Sequence, residues 1–157
     1  MNSIEARFLV TSLMHRHHLH SWTFGYMQSL TTAGLCWLDS DRIELSEPIL
    51  RANDAAGVSE ITLHEIAHAL AGTERHDAEW VRIAKGIGCS GKRRPLLAQP
   101  DGKWKLKCVS CGKVKMRYRR PKEGRRLSCG LCGGGKFDAR FVLRLVEEMG
   151  MGVGVTA

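Results

Sequence analysis

The chain has 157 residues, 43% of them hydrophobic, and a formal net charge of +8. That composition supports a packed core and argues against wholesale disorder, and the length allows one domain with a small appendage. No run approaches the roughly 18 consecutive apolar residues of a membrane span. The N-terminus lacks the charged start, apolar middle and small-residue cleavage site of a signal peptide, so the expected setting is intracellular, cytoplasmic or nucleoid-associated, with no membrane partner.

Ile4, Phe8, Leu9, Leu13 and Leu19 recur at near-helical spacing, which predicts an amphipathic helix over residues 3–19. Trp22, Phe24 and Tyr26 then alternate with small or polar residues, Leu35–Leu38 forms a second apolar run, and Ile43 and Leu45 alternate in a third. Turn-forming residues at Thr31–Gly34 and Asp39–Asp41 separate them, giving three short strands in a meander. Pro48 and Asn53–Gly57 interrupt before a helix from Val58 to Ala71, with Leu63, Ile66, Ala67 and Leu70 as its core stripe and Gly72 as its stop. Asp77 can cap a further helix through Lys85, with Trp80, Val81 and Ala84 turned inward. The stretch from Ser90 to Gly102 carries Gly, Pro and the Lys92-Arg93-Arg94 cluster and reads as a linker. Strand-like pieces follow around Trp104–Lys107, Val114–Tyr118 and Arg125–Ser128, and then a final helix, Asp138–Met149, before a Gly-rich tail expected to fray. The fold class is α+β, with units at 1–90, 91–102 (linker), 103–137 and 138–157.

Within the Val58–Ala71 helix, His64-Glu65-Ile66-Ala67-His68 is an H-E-x-x-H motif. Residues four apart differ by only about 40° around a helix, so both imidazoles project from one face towards one metal ion. Glu65, beside the first ligand, is placed to act as general base on a water. A hydrolytic zinc site commonly takes three protein ligands. His76 is the best third donor, because Gly72 ends the helix and Thr73–Arg75 allow the chain to turn back; Glu74 and Glu79 compete for the role. His15, His17, His18 and His20 crowd the end of the first helix without a matching cysteine or carboxylate, and no site is assigned to them.

The order of an aromatic-rich meander, the strand IELS and then HEIAHALAGTERHDAEW resembles the SprT-like family of zinc metalloproteases, which includes eukaryotic Spartan. The resemblance extends over most of residues 1–90. His76-Asp77-Ala78-Glu79-Trp80 fits the family's third-histidine element, with Asp77 where glycine is frequent. It implies a minimal zincin-like fold with His64, His68 and His76 on a catalytic zinc and Glu65 as base. Bacterial relatives also carry a C-terminal zinc ribbon.

Four of the six cysteines form two C-x-x-C pairs, Cys108/Cys111 and Cys129/Cys132, seventeen residues apart. Such pairs brought together by a hairpin form a closed four-thiolate site, so a structural zinc is expected, with Gly112, Gly130 and Gly133 in the tight turns. Cys36 and Cys89 read as small buried residues.

Charge is unevenly distributed. Residues 1–91 hold 7 Lys/Arg and 11 Asp/Glu, whereas residues 92–136 hold 15 and 2. That asymmetry suggests a polyanionic partner, with DNA, single-stranded included, the leading candidate. The expected contacts are Lys92, Arg93, Arg94, Lys103, Lys105, Lys107, Lys113, Lys115, Arg117, Arg119, Arg120, Arg125 and Arg126, mostly to phosphate without sequence preference, with the alternating cations forming a row on one hairpin face. Trp104 and Tyr118 are candidate stacking platforms for bases. Taken together, the residues and the resemblance lead to a DNA-associated zinc metalloprotease acting on DNA-bound or DNA-crosslinked proteins. A strand near Ile43–Ser46 would pair with extended substrate. The alternatives are a non-proteolytic zinc protein that binds nucleic acid, and a zinc hydrolase with a non-peptide substrate.

Overall fold

In the computed structural model, residues 1–148 are described. The chain divides into two compact units, one spanning Met1–Pro100 and the other beginning at Asp101. Among the described residues no helix is long and apolar enough to cross a membrane.

The first unit opens with α1, Ser3–Arg16, started by a reciprocal capping box in which the Asn2 side chain accepts from Glu5 N–H and the Glu5 carboxylate accepts from Asn2 N–H. Its buried face is Ala6, Val10, Leu13 and Met14; Ile4 and Phe8, read from the sequence as core, are 83% and 76% exposed. The correction arises because two stripes compete on this helix, and the one holding small Ala6 allows close approach to a neighbouring helix.

Three strands follow: β1 (Thr23–Met27), β2 (Gly34–Trp37) and β3 (Arg42–Ser46). They are not a meander. The order is β1-β3-β2, with β1 parallel and β2 antiparallel to β3. β3 takes the centre because its Ile43 and Leu45 are the sheet's fully buried aliphatic pair, whereas Leu35 and Trp37 of β2 stay partly exposed. A central strand has no free edge, so Ile43–Ser46 cannot receive a peptide; the outer edges belong to β1 and β2.

Pro48, read as an interruption, lies in the first turn of a short helix, α2 (Glu47–Ala52), where its missing N–H costs nothing; Ser46 Oγ caps it by accepting from Ile49 N–H. Next, α3 (Ala55–Ala71) packs against α1, β2 and β3, with Val58, Ile61 and Ile66 in the core and Leu70 turned outward. It ends at Gly72, and α4 (Ala78–Gly86) returns along it with Trp80 and Ala84 fully buried. Residues 91–100 belong to this unit rather than hanging free between units. Leu97 packs on the core, and the Asn53 amide brackets Ala98, donating to its carbonyl at 2.8 Å and accepting from its N–H at 3.0 Å.

The second unit is a three-stranded antiparallel sheet in the order β5-β4-β6, with β4 Trp104–Cys108, β5 Val114–Arg117 and β6 Leu143–Glu148. Among the described residues, 138–148, the helix expected over Asp138–Met149 does not form, and Met149 lies outside them. A short 3₁₀ turn at Ala139–Phe141 leads directly into β6, where Leu143 is buried beside Cys108, Cys129 and Leu106. A brief apolar run has ambiguous periodicity, and the open edge of β4 gives this one ladder partners that an isolated helix would lack. The expected strand at Arg125–Ser128 reduces to one bridge, Ser128 to Val142. The Gly-rich tail lies outside the described residues.

Candidate metal centres

Helix α3 carries the first centre. His64, Glu65 and His68 are all nearly buried, at 9%, 6% and 6% exposure. The left-handed Gly72 stops the helix, and the chain turns so that half-buried His76 comes back over it just before Asp77. Asp77 accepts from Trp80 N–H at 2.9 Å, which fixes the start of α4 and with it the position of His76. The aspartate in place of a frequent glycine thus works as a helix cap.

The three imidazoles converge. His76 Nε2 lies 2.9 Å from His64 Nε2 and 3.2 Å from His68 Nε2. Two nitrogens about 2.05 Å from one tetrahedral zinc stand roughly 3.3 Å apart, so the spacing is consistent with that ion. On the far side of its ring, His68 Nδ1 lies 2.8 Å from the Thr73 carbonyl, which places the ring proton there and leaves Nε2 free as a lone-pair donor. Burial makes all three rings hard to protonate, His64 down to about 4, so they are neutral near pH 7 as metal ligation requires. The buried indole of Trp80 lies against the three rings, with centroids 4.7, 5.1 and 4.4 Å from those of His64, His68 and His76.

Glu65 sits at the junction of two clefts. One, of about 290 Å³, is walled by β2, His64, His68, Glu74 and His76; the other, of about 390 Å³, is bounded by Gly34, Ile61 and the Arg93–Leu97 segment. Burial pushes the Glu65 carboxyl up to about 8. Its side chain lies so close to Gly34 that a Cβ there would meet Oε1 at 2.5 Å. Glu74 borders the first cleft outside the histidine cluster, while exposed Glu79 is held by Arg82. Cys36 lines the same cleft and Cys89 lies beside Glu60; burial raises these thiols to about 12 and about 11. His15 and His18 make ring contacts with His20 at 5.2 and 5.9 Å, outside both donor clusters.

The second centre lies in the second unit. The sulfurs of Cys108, Cys111, Cys129 and Cys132 all fall within 4.8 Å of one another, and Cys111 and Cys129 are 3.9 Å apart. A tetrahedral ion with sulfurs at about 2.3 Å would set neighbouring sulfurs roughly 3.8 Å apart. Two matching turns present them: Gly112 N–H donates to the Cys108 carbonyl and Gly133 N–H to the Cys129 carbonyl. Gly112 has φ +71°, and a Cβ on Gly133 would meet the Lys136 carbonyl at 2.7 Å; Gly130 shows neither constraint. Backbone N–H groups of Cys132 and Leu131 hold the Cys129 thiol down to about 7, while the neighbouring sulfurs push Cys132 up to about 12. Four crowded thiols cannot all ionise without a cation among them, so this donor set is also consistent with zinc.

The cations do not form one row. In the β4–β5 ladder Lys115 faces Leu106 and Arg117 faces Trp104, while Lys105 and Lys107 share the other face with Met116 and Val114. Lys107, Lys113, Lys115, Arg119, Arg120, Arg125 and Arg126 are exposed, as is Lys103. Trp104 is buried, with Lys103 and Arg120 over its ring at 5.5 and 5.3 Å, and is no open platform for a base. Lys92, Arg93 and Arg94 lie exposed in the first unit, and the latter two border the cleft beside Glu65. Sequence reading also missed Gly34, Thr73 and the Trp80 backing. A strand glycine and a fully apolar helix position were the only signals for two of them.

The SprT-like family model matches residues 5–99 of the chain. No curated protein matches it.

Proposed function

We propose that this chain, which belongs to the SprT-like family, is a zinc metalloprotease that cuts proteins bound or crosslinked to DNA. The observation that carries the hydrolytic part is the convergence of His64, His68 and His76 on one point beside the buried Glu65 carboxylate. Zinc held by the three histidines would supply Lewis acidity, making a water more acidic and polarising a carbonyl.

The chain's own groups account for the rest. Glu65 takes the proton of the attacking water, a step its burial-raised proton affinity favours, and later gives it up to the departing amine, which is the stronger base. Thr73 and Trp80 hold the imidazoles in place. The free edge of β2, lining the cleft at Gly34–Trp37, offers main-chain groups to an extended peptide and so replaces β3 as the docking strand. A minimal zincin-like description of the first unit, and a zinc ribbon for the second, follow from this reading.

The DNA part rests on charge. Fifteen basic and two acidic residues within 92–136 would bind phosphate by counterion release without base readout. Because the cations occupy both faces of β4–β5, a strand would wrap the hairpin edge or contact several surfaces.

Cleavage of a DNA-binding protein by zinc-loaded enzyme, with and without single-stranded DNA, tests the proposal. Cleavage that requires both DNA and Glu65 supports it. Equal cleavage by Glu65→Gln removes Glu65 from the mechanism, and absent cleavage despite bound zinc and DNA favours a non-proteolytic role.

A further inference from the structure

Residues 89–98 form a strap anchored at both ends. At one end Cys89 is buried, and the Ser90 N–H donates to both Glu60 carboxylate oxygens at 3.2 and 3.1 Å. At the other, Leu97 packs on the core and the Asn53 amide brackets Ala98. Between these anchors the chain carries Arg93 and Arg94 along the cleft that also exposes His64 and Glu65. Among the described residues neither guanidinium is held by a carboxylate. Ala33, Ile61, Pro95 and Leu97 supply apolar wall and Thr31 and Gln99 polar wall, so the two cations border a cleft of mixed character.

A volume of about 390 Å³ suits a side chain of a bound peptide. A nucleic-acid backbone entering the same space would occupy the ground that peptide needs. We infer that Arg93 and Arg94 form a specificity-determining wall, selecting protein segments with an aspartate or glutamate near the bond to be cut. This rests on the peptidase reading and adds its substrate class. Guanidinium forks match a carboxylate with two parallel hydrogen bonds, and because both arginines are exposed the expected gain is the modest one of a surface ion pair. The sequence cluster that suggested a DNA-binding linker is therefore divided by the fold, with these two arginines turned over to the peptide.

The test is a digest of a denatured protein mixture by zinc-loaded full-length enzyme with single-stranded DNA present throughout, the cut sites read by mass spectrometry. Wild type is expected to cut with acidic residues enriched about fivefold at a fixed position beside the broken bond. An Arg93→Glu, Arg94→Glu variant should lose that enrichment and favour Lys or Arg there, while Arg93→Lys, Arg94→Lys should retain part of it. Identical cut-site profiles in wild type and reversal variant, with cleavage still dependent on Glu65, would overturn the inference and leave the peptidase reading standing. No cleavage of any protein would overturn both. Fluorescence anisotropy with a single-stranded oligonucleotide provides the second readout. A tenfold loss of DNA affinity in Arg93→Ala, Arg94→Ala with an unchanged cut-site profile would assign the pair to phosphate instead.

Discussion

Gly34 on β2 and Glu65 on α3 stand in direct apposition: a Cβ added to Gly34 would lie 2.5 Å from Glu65 Oε1 and 2.7 Å from its Cγ. The contact involves the stem of the glutamate as well as its tip, so the carboxylate cannot simply swing aside. Gly34→Ala is expected to displace Glu65 and lower kcat at least about tenfold, consistent with the sensitivity of catalysis to small misplacements. Zinc content should stay at the wild-type level, because no histidine is touched. Full activity in this variant would show that Glu65 does not work from the position seen here.

Metal stoichiometry separates the two centres. Wild type should bind two zinc ions per chain by elemental analysis, and Glu65→Gln should also bind two. His76→Ala should fall to about one, since two imidazoles on α3 leave the ion short of a ligand. If His76→Ala retains both ions at full affinity, Glu74, at the border of the same cleft, becomes the third donor to test.

Asp77 links helix capping to the metal site. Removing its carboxylate leaves Trp80 N–H without the 2.9 Å acceptor it now has. Asp77→Ala should cost about 1 kcal/mol of stability in urea denaturation, and also weaken zinc binding through His76. Asp77→Ser, which keeps a capping oxygen, should restore most of both.

Trp80 is fully buried, and its Nε1 has no hydrogen-bond partner among the described residues. Trp80→Ala should therefore destabilise the first unit by about 3–5 kcal/mol through the cavity it opens. Trp80→Phe should cost markedly less, because no indole hydrogen bond is lost. A phenylalanine variant as unstable as the alanine one would show that the indole makes a polar contact after all.

Chelation should act unequally on the two units. The small core around Leu106, Cys108, Cys129 and Leu143 gives the second unit little apolar burial of its own. Cys108→Ser with Cys111→Ser is expected to unfold it, abolish salt-sensitive DNA binding and leave the first unit's thermal transition in place. Retention of DNA affinity in that variant would relocate the DNA contacts.

Motifs with strict local spacing were legible in the sequence. Four residues along a helix place two imidazoles on one face, and two residues between cysteines make a turn, whatever surrounds them. Helices α3 and α4, the three strand segments of the first unit, the His64/His68 pair and the two cysteine pairs follow from such short-range periodicity, whereas His76 was one of three candidate donors until the turn after Gly72 placed it. Long-range pairing was not legible. Nothing local reveals that β3 lies between β1 and β2, because strand order depends on which aliphatic pair the core buries most completely. For the same reason Leu143–Glu148 is a strand: its short apolar run suits either state, and the open edge of β4 decides. The apposition of Gly34 with Glu65, and of Arg93 with the neighbouring cleft, joins residues some thirty positions apart. By itself the sequence determined which side chains could hold metal and take a proton. Only the tertiary structure decided which strand edge, which glycine and which two arginines stand beside them, because those distances are set by packing rather than by spacing along the chain.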